Sequence, residues 1–130
     1  MVTMLMEHKT DPAEDIRRNV GDLSGFELFG NQILLGVYKR SEKTKSGLYL
    51  ADSTRTEDEY QGKAMLVLKK GPAAFKSDNN YNFYGMDVDE GDWIACWVTD
   101  GRKLVINGQL CRVIEDIYIR MRIPAPDMVF

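Results

Sequence analysis

Four carboxylates crowd into Asp87-Val88-Asp89-Glu90-Gly91-Asp92, the densest group of potential ligands in the chain. A calcium loop would need a liganding oxygen where Gly91 stands and a closing bidentate Glu where Val98 stands. The stretch therefore reads as a solvated acidic turn before a strand, and no metal site is expected. His8 is the single histidine and lies near the N-terminus, away from any cysteine or carboxylate pattern. We read it as incidental. Without a second histidine no Ser-His-Asp or Cys-His set can be assembled, and no phosphate-cradling glycine motif is present. Cys96 and Cys111 lack the close spacing of a metal knuckle or redox motif and read as two buried thiols. Catalytic residues and cofactors are expected to be absent, so the chain is not read as an enzyme.

Chemistry of adhesion is better represented. Ser41 to Gln61, SEKTKSGLYLADSTRTEDEYQ, is a long charged segment holding one apolar island, Leu48-Tyr49-Leu50, just after Gly47. Loops of this length inside a domain are uncommon and are usually functional or disordered. Three consecutive bulky apolar residues are costly to leave in water, which favours presentation to a partner. A second polar insertion, AAFKSDNNYNFYGMDVDEGD, carries Phe75, Tyr81, Phe83 and Tyr84. These rings could stack on bases, but only Lys76 accompanies them and several acids follow. Packing or subunit contact fits better.

The elements that position these residues follow from periodicity. Asp11-Pro12-Ala13-Glu14 has the form of a helix start, with Asp11 as cap, Pro12 in the first turn and Glu14 reaching back. Ile16 and Val20 share one face and Gly21 ends the helix, which should pack on the surface or on a neighbour. From Phe26 the period becomes two. Asn31 to Arg40 places Ile33, Leu35 and Val37 on one face, while Lys63 to Lys70 is apolar enough for a strand covered on both sides. Gly71-Pro72 breaks it, and the insertion that follows allows a hairpin turning at Asp78-Asn79-Asn80. Strands are expected at Trp93 to Val98, Lys103 to Ile106, Gln109 to Ile114 and Ile117 to Ile123, with Asn107-Gly108 a strong hairpin signal. Such spacing indicates an all-β antiparallel barrel or sandwich.

With 130 residues, 44% hydrophobic and 28% charged, the chain suits one domain with its own core. A net charge of −3 without a basic block argues against nucleic acid as partner, and no apolar run approaches a membrane span. The start has no basic n-region or cleavage site, so no secretory signal is read and a cytoplasmic location is expected.

In this order the segments resemble the small co-chaperonin family, the GroES-type lids of chaperonin rings. Asn31-Gln32-Ile33-Leu34-Leu35 resembles the family's opening strand, and Ser46-Gly47-Leu48-Tyr49-Leu50 resembles the mobile-loop tip. Gln61 to Leu68 is similar to the strand after that loop, Val88 to Ile94 to the Gly-Asp segment, and Cys111 to Ile117 to the closing strand. The likeness covers Phe26 to Met121. It implies a partly open, irregular β-barrel with a roof hairpin, assembled as a heptameric ring through the first and C-terminal strands, that caps a large ATP-dependent chaperonin of GroEL type and encloses a client for folding. Gly47, Leu48, Tyr49 and Leu50 would be the chaperonin-binding residues, with Gly47 supplying the bend. Phe75, Tyr81, Phe83 and Tyr84 would lie at the roof and cavity.

The implied domains are an extension with a short helix at 1–25, a barrel at 26–123 and a tail at 124–130. Within the barrel, 41–61 is the mobile loop and 71–88 the roof insertion. Ser46 replaces one glycine of the usual pair, Tyr49 replaces a β-branched residue, and Asp100-Gly101-Arg102 lacks the family's cavity-side tyrosine. Such departures look like a divergent, virus-encoded member, for which the location would be the host cytoplasm. The alternative is a non-enzymatic virion or tail component that uses the same barrel and a clasping loop for assembly.

Overall fold

Asp11 and Pro12 start the helix as their types require. A computed structural model describes His8 and residues 10–39 and 63–129, with α1 at Pro12–Val20. The Asp11 side chain accepts from the Ala13 N–H at 3.2 Å, and the Gly21 N–H closes the last turn on the Arg17 carbonyl. Asp15 rather than Glu14 reaches outward, accepting from Thr10 Oγ1 at 2.6 Å. Ala13, Ile16 and Val20 form the buried face.

Among the described residues six strands follow: β1 (Gln32–Val37), β2 (Ala64–Lys70), β3 (Trp93–Ala95), β4 (Arg102–Ile106), β5 (Gln109–Glu115) and β6 (Met121–Ile123). They make one antiparallel sheet in the order β4-β5-β1-β2-β3-β6. The sheet does not close: β4 and β6 are its two edges. The expected partly open barrel is thus replaced by an open, doubly covered sheet. One physical reason is length, since β3 and β6 are three residues each. A 3₁₀ turn at Asp116–Tyr118 also interrupts the segment read as a strand from Ile117. The expected pairing of the first strand with a neighbouring subunit has no free edge either, because β1 bonds β2 on one side and β5 on the other.

Both faces of the sheet are apolar, which is why β2 reads as a near-continuous hydrophobic run. On one face Ile33, Leu35 and Val37 pack with Met65, Val67, Ile94, Cys96 and Ile114; Val88, Ala74 and Phe75 cover them. On the other, Leu34, Leu66, Leu68, Ile106 and Cys111 pack under α1. Helix and sheet pack tightly at Gly36, where a Cβ would stand 2.4 Å from Ile16 Cγ2 and 3.2 Å from Leu68 Cδ1. The helix belongs to this chain's own core, not to a neighbour. The β4–β5 turn locks its end: Asn107 (φ 50°) and Gly108 (φ 83°) take the paired left-handed conformations of a tight hairpin, and Asn107 Nδ2 donates to the Val20 carbonyl at 2.8 Å.

The two cysteines are free and fully buried, one in each face's cluster. Burial pushes both thiols up from 9.0 to about 11.

Two predictions follow from this packing. Gly36→Ala should cost about 1–3 kcal/mol in a urea titration, because the β-branched Ile16 is stiff and sits on a docked helix. Adding Ile16→Ala to Gly36→Ala should cost less than the sum of the single losses, since it removes the obstructing methyl. Stability should also fall as pH rises from about 9 to about 11. In that window the unfolded chain releases the thiol protons and the folded chain keeps them. Urea midpoints should show this part of the slope vanish in a Cys96→Ala/Cys111→Ala variant.

Candidate interaction surface

Three features of the fold are built in most detail: the root of the long polar segment, the aromatic insertion, and an arginine stack beside β6.

The long segment leaves the sheet between adjacent strands. Val37 registers with Met65, and the Tyr38 N–H extends the ladder to the Ala64 carbonyl at 3.1 Å. Tyr38 is only 4% exposed and packs with Ala64, Ala95 and Ile123. Gly47, Leu48, Tyr49 and Leu50 lie outside the described residues. What the structure positions is the pair of strand ends from which they extend.

The insertion begins where two backbones nearly touch. The Gly71 N–H donates to the Gln32 carbonyl at 2.7 Å, and a Cβ on Gly71 would lie 2.5 Å from the Gly30 carbonyl oxygen, so only glycine fits. Phe75 then adopts φ 59°, a costly conformation for a bulky residue. Asp116 holds it there. This carboxylate, 3% exposed, accepts from the Phe75 N–H at 2.8 Å and from Asn31 Nδ2 at 3.0 Å. The Asp116 N–H also donates to the Asn31 carbonyl. One side chain thus ties the start of the insertion to the start of β1 and the end of β5.

Beyond Phe75 the expected roof hairpin is absent: residues 71–92 contain no strand. A reverse turn does form at the Asp78-Asn79-Asn80 signal, with the Asp78 N–H donating to the Tyr81 carbonyl at 2.9 Å. The flanking backbone pairs with side chains instead of with itself. Asp78 Oδ1 accepts from the Asn80 and Tyr81 N–H groups, Ser77 Oγ from Phe83, and Asn82 Oδ1 from Tyr84. Ser, Asp and Asn compete with a strand ladder in this way. Of the four aromatics, Phe75 and Phe83 turn inward and meet edge to face with centroids 5.5 Å apart. Tyr81 leans on Phe83 at 4.6 Å and stays half exposed. Tyr84, at φ 55°, is 85% exposed, and Met86 beside it is 74% exposed. The insertion therefore ends in an apolar knob on a rigidly bonded base.

The third feature joins residues far apart in the chain. Asp100, buried, accepts from Arg120 Nε at 3.2 Å and Nη2 at 3.3 Å and from the Trp97 N–H at 2.9 Å. The Arg120 guanidinium carbon lies 5.6 Å from the ring centroids of both Trp97 and Tyr118. Beneath, Arg112 is fully buried and donates to the Trp97 carbonyl at 3.1 Å; burial lowers its pKa. Asp100-Gly101 is a local turn signal of the sequence. Its arginine partner, on a segment brought close by the β3–β6 pairing, had no sequence signal.

The acidic turn is occupied by the chain's own cations. Lys70 Nζ lies 3.0 Å from Asp87 and 3.8 Å from Asp89, and Arg122 Nε lies 3.3 Å from Asp92. Asp92 also accepts from the Asp89 N–H. Among the described residues no three His, Cys, Asp or Glu side chains are grouped to hold a metal ion. His8, read as incidental, does make a specific contact, with Nε2 2.7 Å from the Tyr38 hydroxyl.

Compared with known proteins, the chain matches no family model and no curated sequence.

Asp116→Ala should destabilise the fold by about 1–3 kcal/mol, because it strands two half-buried donors. Amide exchange at Phe75 should accelerate more than exchange in the middle of β2. Tyr84→Ser, by contrast, should change stability by less than about 0.5 kcal/mol, as expected for an exposed side chain.

Proposed function

We propose that the chain is a GroES-type co-chaperonin: a lid that caps an ATP-driven, GroEL-type chaperonin ring and encloses a client. The observation that carries this reading is the placement of residues 40–62 between two hydrogen-bonded, deeply buried strands. A polar segment with one apolar tripeptide, rooted at the ends of two buried strands, suits capture of a partner at a distance from the domain. Burial of Leu48, Tyr49 and Leu50 in a partner groove would contribute roughly 5 kcal/mol per subunit before the cost of ordering the segment. Each contact would remain weak and reversible, and several copies in a ring would raise the overall affinity.

The remaining surfaces agree with this role. Tyr84 and Met86 on the insertion are exposed apolar side chains that this reading would turn toward the enclosed chamber. Among the described residues the outer edges of β4 and β6 have no strand partner, and edges of this kind invite pairing with another chain. A heptameric ring in the host cytoplasm, encoded by a virus, is the assembly this reading implies.

The test replaces the tripeptide's two leucines. Unmodified protein should co-sediment with a GroEL-type chaperonin only when nucleotide is present. Leu48→Asp/Leu50→Asp should abolish capture and leave the oligomer mass, measured by light scattering, unchanged. Failure of the unmodified protein to be captured would overturn the proposal. Collapse of the oligomer in the double variant would instead identify a static assembly clasp, as in a virion or tail component.

A further inference from the structure

Tyr38 is the last buried residue before the long segment, and the chain brings both of its terminal regions to this residue and its neighbours. From the N-terminal side, His8 sets its ring edge-on to Tyr38 with centroids 5.8 Å apart and an interplanar angle of 67°. Its Nε2 lies 2.7 Å from the Tyr38 hydroxyl. Tyr38 in turn meets Trp93 edge-on, again at 5.8 Å. From the C-terminal side, the 3₁₀ turn Pro126–Met128 buries Pro126 and Asp127, and Val129 packs against the cluster of Tyr38, Ala64, Ala95 and Ile123. That cluster contains both residues that close the ladder at the root, Tyr38 and Ala64.

We infer that His8 and the segment Pro126–Val129 form a two-sided clasp on the root of residues 40–62, so that the terminal regions set how firmly the root is held. The arrangement is specific to the root. The central strands β1 and β2 are already covered by α1 on one face and by the insertion on the other. The Tyr38–Ala64 rung lies one residue beyond the last paired residue of β1 and needs its own cover. A tyrosine whose ring is wedged between two other rings and whose hydroxyl is engaged has few rotamers open to it, and its backbone N–H is correspondingly slow to leave the Ala64 carbonyl. The clasp is independent of what residues 40–62 bind, so it stands or falls apart from the co-chaperonin reading.

Native-state hydrogen exchange on the full chain tests it, comparing the unmodified protein with His8→Ala, Tyr38→Phe and Val129→Ala. In His8→Ala and in Val129→Ala the Tyr38 amide should exchange roughly three- to tenfold faster, with the Leu35 and Val67 amides unchanged. Tyr38→Phe keeps the ring stack and loses only the hydroxyl contact, so its effect should be smaller than that of His8→Ala. Trypsin should cut after the lysines and arginines of residues 39–63 faster in the two alanine variants. Unchanged exchange at Tyr38 in both alanine variants would overturn the inference. So would acceleration spread equally over Tyr38, Leu35 and Val67, because that is general loss of stability and not a local clasp.

Discussion

Everything else in this fold answers to the burial of β1. The strand bonds to a neighbour along each edge and is covered on each face, so Ile33, Leu34, Leu35 and Val37 are all nearly inaccessible to solvent. A strand in that position needs two covering layers, and the sheet, which stays open among the described residues, does not supply them by closing on itself. The chain uses other material: α1 with its Ile16 methyl against Gly36 on one side, and the insertion after Gly71 on the other. Segments that a sequence reading sets apart as an extension and a loop are structural members of the core.

The same requirement explains the polar knots. The insertion can cover its face only if it leaves the sheet at a fixed angle, which the Gly30–Gly71 approach and the buried Asp116 impose. Buried carboxylates are expensive unless hydrogen-bonded, and here each oxygen has a donor. The left-handed Phe75 is the strain this arrangement carries, offset by burial of its ring against Phe83 and the core. Asp100 plays a comparable part at the other end of the same face, holding Arg120 between two aromatic rings.

Local signals were legible in the residues and long-range ones were not. Asp11, Pro12 and Gly21 mark the helix, Asn107-Gly108 marks its hairpin, and the apolar run of β2 announces a strand buried on both faces. Each depends on neighbours a few positions away. The open sheet, by contrast, follows from how short β3 and β6 are, and strand ends are set by tertiary pairing more than by pattern. The insertion looked like a hairpin because Asp78 to Asn80 is good turn chemistry; Ser77, Asp78 and Asn82 then captured the backbone groups that strands would have used. Asp116 with Phe75, Arg120 with Asp100, and His8 with Tyr38 join positions too distant in sequence for spacing to suggest them. The residues expected to bind a chaperonin were named by a resemblance to a family's loop, and what the fold adds is the buried rung from which they extend.

The two thiols illustrate a last consequence of a sheet with two separate interiors. Cys96 and Cys111 belong to opposite layers, one on each face of the sheet. A disulfide cannot form between side chains that point apart. No breathing motion that keeps the sheet can join them. An internal crosslink between these cysteines would be a chemical scar, recording that a molecule had at some time lost the partition between its two halves.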